Sequence, residues 1–295
     1  MTQNFIMRPS RSLATRISIF FITVLLLGCS AARLGYSNGE TISYFWLNNY
    51  VDFDADQKTF VTKELATLFS WHRRTQLGDY VQLLTRAQKQ AQSPVTEAEL
   101  QGDYNEFKKR VLVMADKAIP SMATLAMSLK PYQIANIEKK FASNNDKYRK
   151  EYLRGDVEQR QRFRFKKTLK QAEYWFGSFS SEQEQQIRAA SDARPLNNEL
   201  VLADRMQRQA AMIAMLKKIE AEKPGREAAI AMLKDYVTAT MDRHASPEHK
   251  AYFDAYNASN IKLAAFIVNH ATPAQKVHFT GNLQQWINDF NKWSH

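Results

Sequence analysis

The chain has 295 residues, 44% hydrophobic and 12% aromatic, with nine glycines, eight prolines, one cysteine and a formal net charge of +11. So few glycines and prolines speak against an all-β or disordered chain, and the length holds one large domain or two small ones. The lone cysteine excludes a disulfide framework and a thiolate metal site. Taken from the N-terminus, Arg8, Arg11 and Arg16 precede the first acid, Glu40, and an apolar run from Ile17 to Leu27 follows them. Basic first and apolar second is the order of a secretory signal, and the run is shorter than the ~20 residues a permanent transmembrane helix needs.

Leu26-Leu27-Gly28-Cys29 ends the run. It resembles the lipobox of bacterial lipoproteins: an aliphatic residue, a small residue before the cysteine, then the cysteine that is acylated. Leu27 is bulkier than that pattern usually shows. The resemblance implies that residues 1–28 are a signal peptide and that Cys29 is the lipid-carrying first residue of the mature protein. Acyl chains on Cys29, palmitate among them, would hold the protein to a membrane more stably than one chain alone. Ser30 stands where an aspartate would direct inner-membrane retention, which favours the outer membrane, facing the periplasm. Residues 29–39 read as a short tether with Gly35, Ser37 and Gly39 as breakers, reaching roughly 30 Å when extended.

Thr41 to Tyr50 is an aromatic segment containing Tyr44, Phe45, Trp46 and Tyr50. It suits packing on the body, with a seat at the membrane interface as the alternative. Beyond it, helix-start signatures recur. Asp54 with Gln57, Thr96 with Glu99, Ser180 with Gln183 and Thr272 with Gln275 have capping-box spacing, and Ser246-Pro247 is a cap with proline at the first helical position. Apolar stripes at helical period lie between them, such as Tyr104, Phe107, Val111 and Met114, or Ile134, Ile137 and Phe141. Gly155-Asp156, Gly177-Ser178, Arg194-Pro195 and Pro224-Gly225 read as breaks, and Gly78 and Pro120 as places where long helices kink or split. No stretch alternates with period two. The expected fold is therefore all-α, an elongated bundle of about nine or ten helices without β-sheet. It would span 40–295 as one continuous domain, with 54–195 and 196–295 as candidate sub-bundles.

Several stretches together carry a likeness: Tyr50-Val51-Asp52-Phe53 with Gln57; Trp71-His72-Arg73-Arg74; Asn144 to Arg149; Trp175-Phe176-Gly177 with Gln183; Ser191 to Pro195; and Arg205 to Gln209. On these the chain resembles an uncharacterised family of proteobacterial lipoproteins, from the lipobox to about Gln209. That family implies a helical envelope lipoprotein and brings no catalytic residues. A looser likeness is to the Spy-type periplasmic chaperones, which repeat leucine-threonine-x-x-glutamine. The nearest forms here are Leu129 to Gln133, Phe179 to Gln183 and Ala271 to Gln275, none complete, and any capped helix start has this look.

Two constellations stand out. Trp71, His72, Arg73 and Arg74 form the densest chemical cluster. His72 lies on the apolar stripe of Leu65 and Leu68, so it needs a buried partner such as Glu173 or Asp192. With Arg194 these make a candidate small-ligand or acid-base site, set against a plain core histidine beside surface arginines. The second is basic: Lys147, Arg149, Arg160, Arg162, Arg164, Lys166 and Lys167, interleaved with aromatics. It is a candidate contact for anionic lipid or lipopolysaccharide, set against a solvated helix face. The histidine spacings fit no zinc site, and no nucleophile elbow or phosphate loop is present. No cofactor is implied, and nucleic acid is excluded as a partner by export. The expected function is a non-enzymatic, outer-membrane-anchored module that binds or scaffolds envelope proteins or anionic envelope components. The alternative is an enzyme or ligand binder around His72, Arg73, Arg74, Glu173 and Asp192. Composition does not define an oligomeric state.

Overall fold

The computed structural model describes residues 35–242 and 246–294. The signal segment 1–28, Cys29 and residues 30–34 lie outside the described residues. After a helical turn at 35–37 the described residues form eleven helices. They are α1 (Gly39–Val51), α2 (Ala55–Thr75), α3 (Leu77–Gln90), α4 (Glu97–Ser128), α5 (Pro131–Tyr152), α6 (Val157–Phe176), α7 (Ser181–Asp192), α8 (Asn198–Glu222), α9 (Arg226–Asp242), α10 (Pro247–His270) and α11 (Pro273–Trp293). No strand occurs among the described residues. The fold is all-α, with slightly more helices than the nine or ten expected. Gly78 sits just past a true break, between Thr75 and Leu77, whereas α4 runs unbroken through Pro120.

All four capping boxes form. Two pairs of helix starts do more. Gln57 of α2 and Gln133 of α5 exchange side-chain amide bonds: Gln57 Nε2 donates to Gln133 Oε1 at 3.0 Å and Gln133 Nε2 returns the bond at 2.6 Å. Each amide also donates to the carbonyl two residues before the partner's cap, Ser128 and Asp52 respectively, at 3.0 Å. Each Oε1 accepts its own cap N–H, from Asp54 and Lys130. Gln183 of α7 and Gln275 of α11 repeat the pattern. Their amides exchange bonds of 2.9 and 3.1 Å, reach the carbonyls of His270 and Ser178, and accept from Ser180 and Thr272. Every polar atom of the four amides is thereby satisfied in a largely dry place.

The packing repeats as well. α1 packs on α2 and α5, and α2 on α4; correspondingly α6 packs on α7 and α11, and α7 on α10. The same sequence of helix-to-helix contacts thus occurs twice, each time with a glutamine pair joining two helix starts. One apolar cluster joins Val51, Ile119, Ile134, Leu216, Ile219 and Leu233. The other joins Ala172, Phe176, Ile187, Leu263 and Ile267. Both clusters combine residues from before and after position 195. α4, at 32 residues, is the one described helix long and apolar enough to cross a membrane. It packs on α2, α8, α9 and α10 and buries Ile119, Ala123 and Ala126 in the first cluster.

The far end of the expected tether is part of the body. Tyr36 stacks on Trp293 with centroids 4.7 Å apart and lies beside Phe69 and Phe290. Gly39 is buried so closely against Phe69 that a Cβ there would overlap the ring. Of the residues 29–39 expected as tether, 36 and 39 are thus packed against the body.

Candidate binding cleft

α6 starts at Asp156, whose carboxylate caps the Gln159 N–H. Its residues 160, 163, 164, 167, 168, 171, 172, 175 and 176 recur at helical spacing, and this stripe forms one wall of a cleft of about 860 Å³. The volume falls within the range of sites that take drug-sized ligands, ~300–1,000 Å³. The end of α5 contributes Tyr148 and Tyr152, stacked at 4.5 Å. α10 supplies Tyr252, Tyr256 and Asn260, one turn apart, along the opposite wall. Phe176 and Phe279, stacked at 4.7 Å and nearly parallel, lie at the apolar end with Leu263 and Ile267.

The ionisable lining, tyrosines aside, is all cationic: Arg160, Arg164, Lys167 and Arg194, with no aspartate or glutamate. Two of these cations have anionic partners outside the cleft, Arg160 with Glu199 and Lys167 with Glu151, both at 2.6 Å. Lys167 also lies over the rings of Tyr152 and Phe163. The other two have no carboxylate bond. Arg194 is 8% exposed. It donates to the Ser191 carbonyl and hydroxyl, to Thr168 Oγ1 at 3.0 Å and to Asn260 Oδ1 at 2.8 Å. Arg164 donates to the carbonyls of Pro195 and Arg194, and its Nε is buried with no hydrogen-bond partner. Burial holds both guanidinium pKa values below their ordinary level, and the Arg164 charge lowers that of Arg194 further. Asp192 lies near enough to favour both charges but does not bond to either. Burial and the neighbouring tyrosine Tyr152 push the Tyr148 hydroxyl up to about 12, so it remains a neutral donor at physiological pH. The cleft thus sets the buried Arg194 and the half-buried Arg164, one N–H of which is unbonded, beside an apolar lining, and charge-assisted donors of this kind favour anions.

The first predicted constellation does not assemble. His72 is buried, and its partner is neither Glu173 nor Asp192 but the Tyr36 hydroxyl, 2.7 Å from Nδ1. Burial and Arg73 depress the His72 pKa, while burial raises Tyr36 to about 12. Near pH 7 the ring is therefore neutral, and its Nδ1 and the Tyr36 hydroxyl share one hydrogen bond. Trp71 takes Lys117 over its face, Arg73 pairs with Glu40 at 3.0 Å, and Arg74 is exposed. Glu173 is exposed on α6, Asp192 pairs with Arg188 at 3.5 Å, and only Arg194 of the set lines the cleft. The anticipated meeting of His72 with the carboxylates fails because the Tyr36 segment, expected as tether, occupies that position.

The basic stretch splits in two. Arg160, Arg164 and Lys167 turn into the cleft, Arg149 pairs with Asp146 and Arg162 with Glu158, and Lys147 and Lys166 are exposed. Tyr252, Tyr256 and Asn260 were not anticipated; their i, i+4, i+8 spacing is the signal that marks them. A second unanticipated group is Asp204, fully buried, with Arg208 at 2.9 Å and His249 at 3.6 Å. Among the described residues no three His, Cys, Asp or Glu side chains converge as metal ligands.

Residues 49–236 match a family of unknown function. The chain belongs to DUF6279. The DUF6279 match begins at Asn49, twenty residues after Cys29, and runs past Gln209, where the likeness read from the sequence fades, to Tyr236. Within DUF6279 lie α5, α6 and Arg194, one side of the cleft; α10 and α11, which close it, follow the matched residues. No curated protein and no solved structure matches the chain.

Proposed function

We propose that this DUF6279 protein is a non-enzymatic binding module of the cell envelope, lipid-anchored through Cys29 and facing the periplasm at the outer membrane. Its cleft takes an amphiphile with an anionic head, such as a long-chain carboxylate or phosphate ester. One observation carries this reading: an aromatic trough with four cationic side chains, no acidic one, and one buried and one half-buried arginine, neither with a carboxylate bond. A ligand anion beside Arg164 would offset desolvation that Asp192 and the carbonyls of residues 194 and 195 compensate only in part. The apolar end would hold a chain or ring system.

The test is titration of the protein with a fluorescent long-chain fatty acid and with the corresponding alcohol. Saturable binding of the acid, weakened roughly tenfold by Arg164→Gln, is expected, since a charge-assisted bond contributes about 1.5 kcal/mol or more. The alcohol should bind more weakly and respond little to the substitution. Equal affinity for acid and alcohol, or no saturation, overturns the reading.

A polypeptide client is the second reading. The three incomplete leucine-threonine-x-x-glutamine forms ending at Gln133, Gln183 and Gln275, whose amides all pair between helix starts, favour it. It requires that the protein suppress aggregation of an unfolded polypeptide and that the fatty acid compete with that activity.

A further inference from the structure

α1 is two-faced. Its inner side faces α2 through Leu47 and packs on α5 through Val51 and Tyr50; Tyr50 is held by Asn144 at 2.8 Å, packs on Phe141, and carries Trp46 against its other side at 4.9 Å. Its outer side exposes Ile42, Phe45 and Trp46, which are 52, 64 and 59% accessible. Positions i, i+3 and i+4 fall on one helical face. Three large apolar side chains standing together in water are unfavourable and mark a surface with an occupant. Lys140 of α5, over the Tyr50 ring, flanks the patch with positive charge.

We propose that this outer face of α1 seats in the headgroup region of the bilayer that holds the N-terminal lipid. The inference rests on the reading of Cys29 as the anchor. Because the chain is already packed at Tyr36, the anchor is separated from the body by about 20 Å of chain at most. α1 is the first helix after that linker, and the outer face begins less than two turns into it. The apolar cluster is therefore the surface that a membrane-held anchor brings to the lipid. Tryptophan and phenylalanine suit the boundary between headgroups and acyl chains, and a flanking lysine suits anionic headgroups. The contact would fix how the body stands on the membrane instead of letting it swing on its linker.

The test uses the full lipoprotein purified from membranes and reconstituted into vesicles in which part of the phospholipid carries bromine on its acyl chains. Bromine quenches tryptophan fluorescence at short range. Trp71, Trp175, Trp286 and Trp293 are part-buried in the body, so Trp46 is expected to account for most of the quenching. Trp46→Phe should remove most of it, and Phe45→Ser should reduce it, while both variants still float with the vesicles and keep the wild-type unfolding midpoint. Wild-type protein that floats without quenching, or equal quenching in Trp46→Phe, overturns the proposed seat. A concentration-dependent dimer that Phe45→Ser dissociates also overturns it, assigning the face to a second copy. Wild-type protein that fails to float overturns the anchoring reading itself.

Discussion

The side-chain amides of Gln57 and Gln133, 76 residues apart in sequence, bond to each other in both directions at 3.0 and 2.6 Å. Each is the third residue of its helix, so each satisfies its own cap and the partner helix's approach at once. Gln133→Ala would leave the Gln57 amide, the Asp52 carbonyl and the Lys130 N–H short of partners in a buried place. A loss of about 2–4 kcal/mol of stability is expected by denaturant unfolding. Gln57→Ala and Gln133→Ala should couple in a double-mutant cycle, whereas Gln57→Ala and Gln183→Ala should add.

Tyr36 and His72 make the fold sensitive to acid. The folded His72 pKa lies below its ordinary value, so below about pH 6.5 the unfolded chain binds the proton more readily than the folded one. Stability from this residue is complete above that pH and declines as pH falls toward the folded pKa. Thermal unfolding at pH 7.5 and 5.5 should show the decline. His72→Gln, which keeps a hydrogen-bond partner for Tyr36, should flatten it.

Gly39→Ala should loosen the first helix. The added methyl overlaps the Phe69 ring, itself packed under Tyr36 and Arg73. Overpacking of this kind costs typically ~1–3 kcal/mol, and faster proteolysis near residues 35–40 should accompany it. The same change at Gly78, where a Cβ meets nothing, should be neutral or slightly stabilising.

Arg194→Lys is not conservative here. A lysine cannot reproduce the fork that serves Ser191, Thr168 and Asn260 together. A loss of about 2–3 kcal/mol is expected by chemical unfolding. By contrast Arg162→Gln, at an exposed pair with Glu158, should leave stability and fatty-acid affinity within error.

Cys29→Ala should release the protein from the membrane fraction when cells are fractionated. Retention of the variant would argue against lipid anchoring. The measurement is independent of the cleft and of the α1 face.

The helical starts were legible because a cap is a local device. Asp54, Thr96, Ser180 and Thr272 satisfy backbone donors three residues ahead, so spacing alone finds them. Periodicity likewise announced the all-α class. That Gln57 faces Gln133 and Gln183 faces Gln275 was not legible, since a capping glutamine shows one local bond in sequence and its second partner lies 76 or 92 residues away. The cleft shows the same division. Its basic and aromatic α6 face was visible as a stretch of composition, but which cations turn inward depended on where α10 lay.

Sequence by itself determined the helices, their ends and the excess of positive charge, because these follow from bonds and periods within a few residues. Tertiary structure decided that Tyr36, read as tether, takes the place beside His72 that a carboxylate was expected to fill. It also decided that Arg164 and Arg194 meet without a carboxylate bond at the end of an apolar trough. Those outcomes depend on which distant helices share a face, and burial, unlike capping, is a property of the assembled chain.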